Sequence, residues 1–504
     1  MGGDGSQGKA SAVNNKRCRE MNAEPKGKPW LIICTAIVIV AAVSQLPLSR
    51  ISGGKLNDFN LLSDIFPEND TATVATDNNL LVDKELIEAI KEETTTTPQP
   101  AARQRHDDTP PATTARDTVD AVEERPLPEA ISPRHNGIVV MEDYSPDGNG
   151  LARIKAALEA SGERLARIAI VGDSYIEGDI FTQNVREHLQ DRYGGGGVGY
   201  VNMYSEFPGF RRSVRQSGSG WTTYNASTKG RRGAYLSLSE QYSVKSQDAA
   251  AAKATYKGVN KYNNLGSWGV SRFLFVSPQS CFIRTKSTDD EWEIHEITGS
   301  PEAQCIEVSG ATPAFSVSLT DPNVTALGVW LDEHCGVSVD CMSSRGFSGV
   351  TLSKVSETLS SEMRRYVDYD LIVLEFGINA MSASQRDYSA YSNIMVKVIG
   401  HMRRCYPDAD ILLMGVGDRG QKTGSEVRSM PVAAAMVEAQ RNAARKAGCV
   451  FWDTREAMGG EGAIIKWASQ QPPLANKDYV HLSHSGGARL ADEFIKSFFN
   501  AIEN

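Results

Sequence analysis

Apolar strands and amphipathic helices alternate in two separate parts of this chain, and this alternation constrains its fold more than any other feature. In the first part, residues 167–172 (RIAIVG) predict a buried strand and residues 179–193 the helix that follows it. In the second part, residues 369–376 and 410–416 predict further strands, and residues 488–502 predict a final helix. The pattern predicts a three-layer α/β fold with a parallel sheet, in which ligands bind at the carboxyl ends of the strands.

Between residues 206 and 341 the alternation stops. Short runs of β-branched and aromatic residues are separated there by Gly, Asn, Ser and Pro, which predicts an all-β, sandwich-like domain inserted into the α/β domain. The α/β domain would then consist of residues 136–205 and 342–504. Tryptophans at strand spacing are expected mostly in the core of the insert, although an individual one could stack on a sugar ring.

The same stretch carries an arginine cluster, made up of Arg211, Arg212, Arg215, Arg231 and Arg232. Such a cluster could bind an acidic glycan or a phosphate, although charge clusters usually just face solvent. The formal net charge of the whole chain is −9, which argues against a general nucleic-acid binder.

A tight turn at Gly172-Asp173-Ser174 is the clearest chemical signal in the sequence. It joins a predicted strand to a predicted helix, so the Ser174 hydroxyl would lie at the carboxyl edge of the sheet, near helix amides that stabilise an anion. A serine at this place could be a nucleophile or simply cap the helix. The turn lacks the Gly-x-Ser-x-Gly elbow of the usual α/β-hydrolases.

Asp478 and His481, just before the last predicted helix, form the second signal. A histidine can take a serine proton while a carboxylate three residues earlier fixes its tautomer. An ordinary helix-entry turn capped by Ser485 would give the same spacing. His484 competes with His481 for the role of base, but it has no aspartate three residues before it.

Gly349 and Asn379 complete the set of candidate residues. Acyl transfer requires hydrogen-bond donors aimed at a developing oxyanion, and a glycine amide and an asparagine side chain can supply them. Each of the two alone would be an ordinary turn residue. Together with the serine and histidine sites they form four blocks, each at the end of an expected strand.

The order Gly-Asp-Ser, Gly, Gly-x-Asn and Asp-x-x-His resembles the four blocks of the SGNH/GDSL hydrolase superfamily, over about 230 residues of the chain. The resemblance implies a flavodoxin-like hydrolase fold with Ser174 as nucleophile, His481 as base and Asp478 as the group that orients the base. It also implies an oxyanion hole built from the amides of Ser174 and Gly349 and the side chain of Asn379. No metal or organic cofactor is required by this mechanism.

Residues 172–179 (GDSYIEGD) depart from the lipase-like pattern at Tyr175, where leucine is usual. They look instead like exported bacterial members of the peptidoglycan O-acetylesterase type. Those members are also similar to this chain in having a β-rich, carbohydrate-binding-like insert between the first two blocks.

Residues 30–48 form a run of 19 uncharged residues, which at 1.5 Å per residue just spans a hydrocarbon core of about 30 Å. Basic residues precede the run, so the positive-inside rule keeps residues 1–29 in the cytoplasm. We expect an uncleaved single-pass anchor in the cytoplasmic (inner) membrane, with a cleaved signal peptide as the alternative. The catalytic head would then be periplasmic.

Residues 49–135 are rich in Thr, Pro, Asp, Glu and Ala, and they carry nine basic against seventeen acidic residues. Such a segment cannot bury enough apolar surface to fold, which predicts a disordered linker with at most a short helix at residues 82–93. The six cysteines beyond residue 48 would allow fifteen full pairings, and in an oxidising compartment Cys281–Cys305 and Cys335–Cys341 could form local bridges. A metal site at His334 would lack a Cys-x-x-Cys spacing.

These features together predict a membrane-anchored serine esterase that removes O-acetyl groups from a cell-envelope glycan such as peptidoglycan. A lipid acyl-hydrolase or a polysaccharide acyltransferase would use the same triad, because water and sugar hydroxyls attack the same acyl-enzyme. A non-catalytic wall-binding protein is the alternative from another class. The expected partners are an acylated glycan and, through residues 30–48, the membrane, but not nucleic acid.

Overall fold

The computed structural model describes residues 86–89, 91, 134–288, 291–424 and 426–503. The predicted cytoplasmic tail (1–29), the predicted anchor (30–48) and most of the predicted linker (49–135) lie outside these ranges. None of the helices in the described ranges is long and apolar enough to cross a membrane. Residues 86–89 and 91 are helical and Leu86 is buried, which agrees with the short helix expected at residues 82–93 of the linker.

A six-stranded sheet forms the centre of the α/β region; strands and helices are numbered here along the chain. Its strands are β3 (Met141–Asp143), β4 (Leu165–Gly172), β16 (Gly336–Ser343), β17 (Leu371–Glu375), β18 (Asp410–Met414) and β21 (Val450–Trp452). They lie in the order β16-β4-β17-β18-β21-β3, and all are parallel except β3. The sheet is therefore mixed. The prediction of a purely parallel sheet is wrong at the edge formed by β3, which pairs only with β21 and runs antiparallel to it.

The helices are α1 (Ala152–Glu159), α2 (Thr182–Tyr193), α3 (Glu357–Met363), α4 (Ser389–Cys405), α5 (Ala433–Ala447), α6 (Thr454–Met458), α7 (Ala463–Ser469) and α8 (His484–Glu503). Short 3₁₀ turns lie at Glu177–Asp179, Gly233–Tyr235, Val350–Lys354 and Ile378–Ala380. Every residue of β17 and β21 is buried, which requires cover on both faces of the sheet. The central core is thus of the layered α/β kind.

Two antiparallel sheets make up the β-rich region. The inner sheet contains β5 (Gly199–Val201), β7 (Trp221–Asn225), β8 (Gln241–Lys245), β10 (Trp268–Ser277), β13 (Ser300–Thr312) and β15 (Thr325–Asp332). The outer sheet contains β6 (Arg215–Ser219), β9 (Ala252–Lys257), β11 (Cys281–Ser287), β12 (Glu293–Ile297) and β14 (Ala314–Leu319). Small hairpins are formed by β1 (Arg134–His135) with β2 (Ile138–Val139) and by β19 (Gly420–Thr423) with β20 (Glu426–Ser429).

The central strands of the inner sheet, β10 and β15, are buried on both faces. Alternate residues such as Phe273 and Val329 join the outer sheet in one apolar core. Their neighbours Leu274 and Trp330 join the core of the α/β region instead. The outer sheet therefore has one face in a core and one face toward solvent.

The observed strand pairing places both ends of the insert at residues other than those predicted. Gly336–Ser343, of which residues 336–341 are predicted to belong to the insert (206–341), pairs with β4 in the central sheet along its whole length. Gly199–Val201, which was assigned to the α/β domain (136–205), pairs with β15 in the inner sheet. A short apolar run carries no mark of the sheet that it will join, so these ends could not be read from periodicity.

The cysteines between positions 281 and 449 are free thiols, so neither predicted disulfide is present. Cys281 lies in the outer sheet and Cys305 in the inner sheet, where it is opposite Leu274. Cys335 is exposed, while Cys341 is buried with its Sγ 3.5 Å from the carbonyl oxygen of Ile176.

Candidate active site

Three neighbouring parallel strands end together and bring the candidate residues to one edge of the sheet. Gly172, at the end of β4, is aligned with Ser343 of β16 and Glu375 of β17. The Asp173 amide donates to the carbonyl of Glu375 at 3.2 Å, which holds the loop that leads to Ser174. A Cβ at position 172 would lie 2.5 Å from that same carbonyl oxygen, so the close strand contact requires glycine.

The structure brings Ser174, His481 and Asp478 into one hydrogen-bonded chain. The Ser174 hydroxyl lies 3.0 Å from His481 Nε2, and His481 Nδ1 lies 2.8 Å from Asp478 Oδ2. These are the separations that a nucleophile, a base and an orienting carboxylate require. The serine and the histidine are 307 positions apart in the sequence, so only the fold joins them.

The turn that carries His481 is fixed by backbone hydrogen bonds. The amides of Val480 and His481 donate to Asp478 Oδ1 at 2.9 and 3.0 Å. The Tyr479 carbonyl accepts from the Gly420 amide at 2.7 Å. Burial raises the pKa of Asp478, but the hydrogen bonds from His481 and the two amides outweigh it and leave the pKa below its usual value. Asp478 is therefore a carboxylate at neutral pH, able to hold the imidazole.

His484 has a different environment. It is the first residue of α8, and its ring centroid lies 6.3 Å from that of Phe210. Burial, together with the charges of Arg212 and Lys261, lowers the pKa of His484 to about 4. Its Nδ1 is buried without a hydrogen-bond partner among the described residues. The relay to Ser174 runs through His481.

Gly349 and Asn379 follow the strands on either side of β4. Gly349 has a left-handed backbone (φ +90°), and a Cβ there would lie 2.9 Å from the ring of Phe376. The Asn379 amide nitrogen donates to Asp173 Oδ2 at 3.0 Å and to the Phe347 carbonyl at 2.9 Å. Both N–H groups of Asn379 are thus engaged within the chain. The backbone amides of Ser174 and Gly349, by contrast, have no hydrogen-bond acceptor among the described residues.

A pair of buried carboxyl groups lies behind the serine, and the sequence analysis missed its role. Burial raises the pKa of Asp173 to about 7, against hydrogen bonds from Tyr175 and Asn379 that lower it. Burial and the charge of Asp173 raise the pKa of Glu375 well above its usual value. Glu375 Oε2 has no partner among the described residues. A charged residue at the end of an apolar strand (LIVLE) was the available signal.

Arg419 is a second residue that the sequence analysis missed. It follows β18, is 6% exposed, and donates through Nη1 to the Ile378 carbonyl at 2.9 Å. Burial lowers the pKa of Arg419, although the charges of Tyr388, Asp173 and Asp478 oppose that effect. Because Arg419 interacts with the charges of Asp173 and Asp478, its guanidinium adds positive potential near both carboxyl groups.

A cavity of about 800 Å³ opens beside the serine loop. Glu177 and Gly178 line it from the residues just after Ser174, and Tyr200 and Phe210 line it from the β-rich side. Ser174 itself is not part of the lining. The cavity is large enough for one or two sugar units, since small-ligand pockets measure about 300–1,000 Å³.

The chain matches one family model and several solved structures. Residues 309–489 match the model of the GDSL-like Lipase/Acylhydrolase family, a range that includes Gly349, Asn379, Asp478 and His481 but begins after Ser174. A solved peptidoglycan O-acetylesterase matches with a TM-score of 0.58 and 21% identity, over 72% of this chain and 99% of that chain. A family two carbohydrate esterase from Cellvibrio japonicus matches with a TM-score of 0.25 and 11% identity, over 57% and 99% of the two chains. A search of curated proteins found no match.

Residues 309–489 are therefore similar to a GDSL-like lipase/acylhydrolase domain. The fold of the chain resembles that of a solved peptidoglycan O-acetylesterase.

Proposed function

We propose that this protein is a serine esterase that removes O-acetyl groups from a cell-envelope glycan, with Ser174 as nucleophile. The observation that carries the proposal is the hydrogen-bonded chain from Ser174 through His481 to Asp478. An intact relay of this kind argues against a non-catalytic wall-binding protein, which would have no need of it.

The reaction divides into two steps. His481 Nε2 takes the proton from the Ser174 hydroxyl as its oxygen attacks the acetyl carbonyl carbon, and the ionised Asp478 stabilises the imidazolium that forms. The protonated His481 then gives its proton to the departing sugar oxygen, which leaves an acetyl-enzyme. Water, deprotonated by His481, attacks that ester and releases acetate, and Ser174 Oγ recovers the proton.

The oxyanion of each tetrahedral intermediate would be held by backbone amides. Those of Ser174 and Gly349 have no acceptor in the described part of the chain, so they need no rearrangement to bind it. Asn379 can contribute only by sharing or releasing its bond to Asp173 or to Phe347. The two amides are therefore the primary donors in this proposal.

The decisive measurement is acetate release from purified O-acetylated peptidoglycan by Leu81–Asn504, one of the two compact units of the chain. Ser174→Ala should abolish release, whereas Ser469→Ala, an exposed serine on α7, should leave it unchanged. No acetate release by the wild-type chain, or full release by the serine variant, would refute the proposal. Transfer of acetyl to an added sugar acceptor in place of water would identify an acyltransferase.

The predicted topology is part of the proposal. An anchor at residues 30–48 would place the catalytic region in the periplasm, next to the envelope glycan. Protease added to intact spheroplasts should then remove the catalytic region, while permeabilised cells serve as the positive control. Complete protection in intact spheroplasts would contradict the placement.

A further inference from the structure

The solvent face of the outer sheet carries cations that the proposed reaction does not use. Ile283 and Val317, on two of its middle strands, point inward and are fully buried in the core shared with the inner sheet. The residues that alternate with such inward positions point outward, and five of these are basic: Arg215, Lys253, Lys257, Arg284 and Lys286. None of the five forms an ion pair with another described residue. Glu296 is the one carboxylate among the described outward positions of the five strands.

Strand register sets the spacing of these cations. Arg284 lies opposite Ser318, and Ser318 lies opposite Lys253 on the next strand. Neighbouring strands are about 4.8 Å apart, so Arg284 and Lys253 start from backbone positions roughly 10 Å apart, with Ser318 between them. Further along β9, Lys257 stands directly opposite Arg215 of β6.

The cations of β9 and those of β11 form two rows, and β14 lies between them as the floor of a trough. Its outward residues are small, and Ser316 and Ser318 are only 4% and 7% exposed because the longer side chains of β9 and β11 flank them. A strand of six residues is roughly 20 Å long. A flat lipid surface cannot reach such a recessed floor, whereas a single extended polymer chain can.

Exposed apolar side chains border the trough on the side of β11 and β12. Phe282 and Ile294 are each 59% exposed and Trp292 is 37% exposed, with Lys286 Nζ 5.5 Å from the Trp292 ring centroid. Aromatic faces pack on the apolar faces of sugar rings, while hydroxyl and ammonium groups bind their polar and anionic substituents. The combination of rings, serines and cations fits an acidic sugar polymer.

We propose that this trough, defined by β9, β14 and β11, binds a linear polysaccharide that carries carboxylates. Lys253, Arg284 and Lys257 would neutralise the carboxylates, and Phe282 would pack against a sugar ring. The site is separate from Ser174 and does not depend on the esterase reaction. Its effect would be to hold the catalytic region on an anionic envelope glycan.

The proposal is tested by titration calorimetry of the chain beginning at residue 81 with polygalacturonate, a linear polyuronate. Neutral dextran is the control ligand. Lys253→Glu combined with Arg284→Glu reverses both walls of the trough and should weaken binding by about tenfold or more. Lys155→Glu, at an exposed lysine on α1, reverses one charge outside the trough and should alter binding by less than about twofold.

Equal binding of polygalacturonate by the double variant and the wild type would overturn the proposal, as would equal binding of dextran and polygalacturonate. Single-stranded DNA that competes as well as the polyuronate at equal charge would also overturn it, because the face would then be a general polyanion surface. If the double reversal unfolds the protein, Lys253→Gln with Arg284→Gln replaces it, with an expected loss of about threefold or more. Ser174→Ala should bind normally, so failure of the esterase proposal leaves this test intact.

Discussion

At the scale of single residues, the unusual feature of the site is that Asn379 is tied to Asp173. The donor that the family pattern assigns to the oxyanion is held by a buried carboxyl group next to the nucleophile. The order of the four blocks in the sequence pointed to Ser174, Asp478 and His481, and the structure places these three side chains within hydrogen-bonding distance. The sequence could not predict that Asn379 bonds to Asp173, 206 positions away, since that contact depends on how two strand ends are aligned.

The burial of Asp173 gives a prediction about pH. Its pKa is raised from 3.8 to about 7, so the folded chain holds this proton more tightly than the unfolded chain does. The stability contributed by Asp173 is then fully present below about pH 4 and is lost as the pH rises through about 7. Asp173→Asn should remove this loss, so the free energy of unfolding measured in urea should fall less steeply with pH in the variant. Parallel pH profiles for the two proteins would contradict the prediction.

The serine and the imidazole should behave as one unit. Ser174→Ala and His481→Ala should each lower turnover by several orders of magnitude, and the double variant should be little worse than either, because neither group works without the other. Turnover of a small aryl acetate ester measures this directly. Losses that multiply in the double variant would mean that the two residues act independently.

His484 should be dispensable for proton transfer. Its pKa of about 4 keeps it neutral, and its ring packs beside Phe210 and is not part of the relay. We expect His484→Ala to keep turnover within about tenfold of the wild type, because a change of packing near a site costs far less than loss of the base. If His484→Ala abolished turnover and His481→Ala did not, the assignment of the base would be wrong.

At the scale of elements, the sequence predicted the strands that carry the site but misjudged elements whose ends depend on packing. Helix α8 begins at His484 and not near residue 488, although two glycines occupy its first turn. Glycines are poor helix formers, and the amphipathic pattern that predicted the helix begins only after them. A Cβ at Gly486 would lie 1.8 Å from the Leu474 carbonyl oxygen, so tight packing requires glycine within the helix itself. Periodicity carries no information about such a contact.

Gly172 offers a test of the strand pair beneath the nucleophile. In Gly172→Ala the new methyl group would meet the Glu375 carbonyl oxygen at 2.5 Å, and a backbone atom cannot move without separating β4 from β17. We expect a loss of about 1–3 kcal/mol in the free energy of unfolding, together with reduced turnover, because Ser174 lies two residues further on. Gly162→Ala, where no atom lies within 4 Å of the new Cβ, is the matched control and should be nearly neutral. Equal stability of the two variants would show that the strands yield without cost.

At the scale of the whole molecule, the β-rich region and the α/β region are joined by buried charges. Arg167 of β4 forms an ion pair with Asp332 of β15 at 2.7 Å, and Ser338 donates to the same aspartate at 2.6 Å. The Trp330 indole donates to Asp340 of β16 at 2.8 Å. Partners 165 positions apart, such as Arg167 and Asp332, give no signal in a single sequence, which is why the sequence predicted two regions but not how they are joined.

This junction predicts that the two regions unfold together. Asp332→Ala would leave the buried Arg167 guanidinium next to a cavity, with Asp340 as its remaining ion-pair partner. Loss of one member of a buried ion pair costs about 3–5 kcal/mol in the free energy of unfolding. Scanning calorimetry should show one transition in the wild-type chain beginning at residue 81, and the same single transition at lower temperature in the variant. Glu426→Ala, which removes an exposed ion pair with Arg428, should cost less than about 1 kcal/mol. Two separate transitions, with only one of them moved by Asp332→Ala, would show that the regions fold independently and that the buried pair does not couple them.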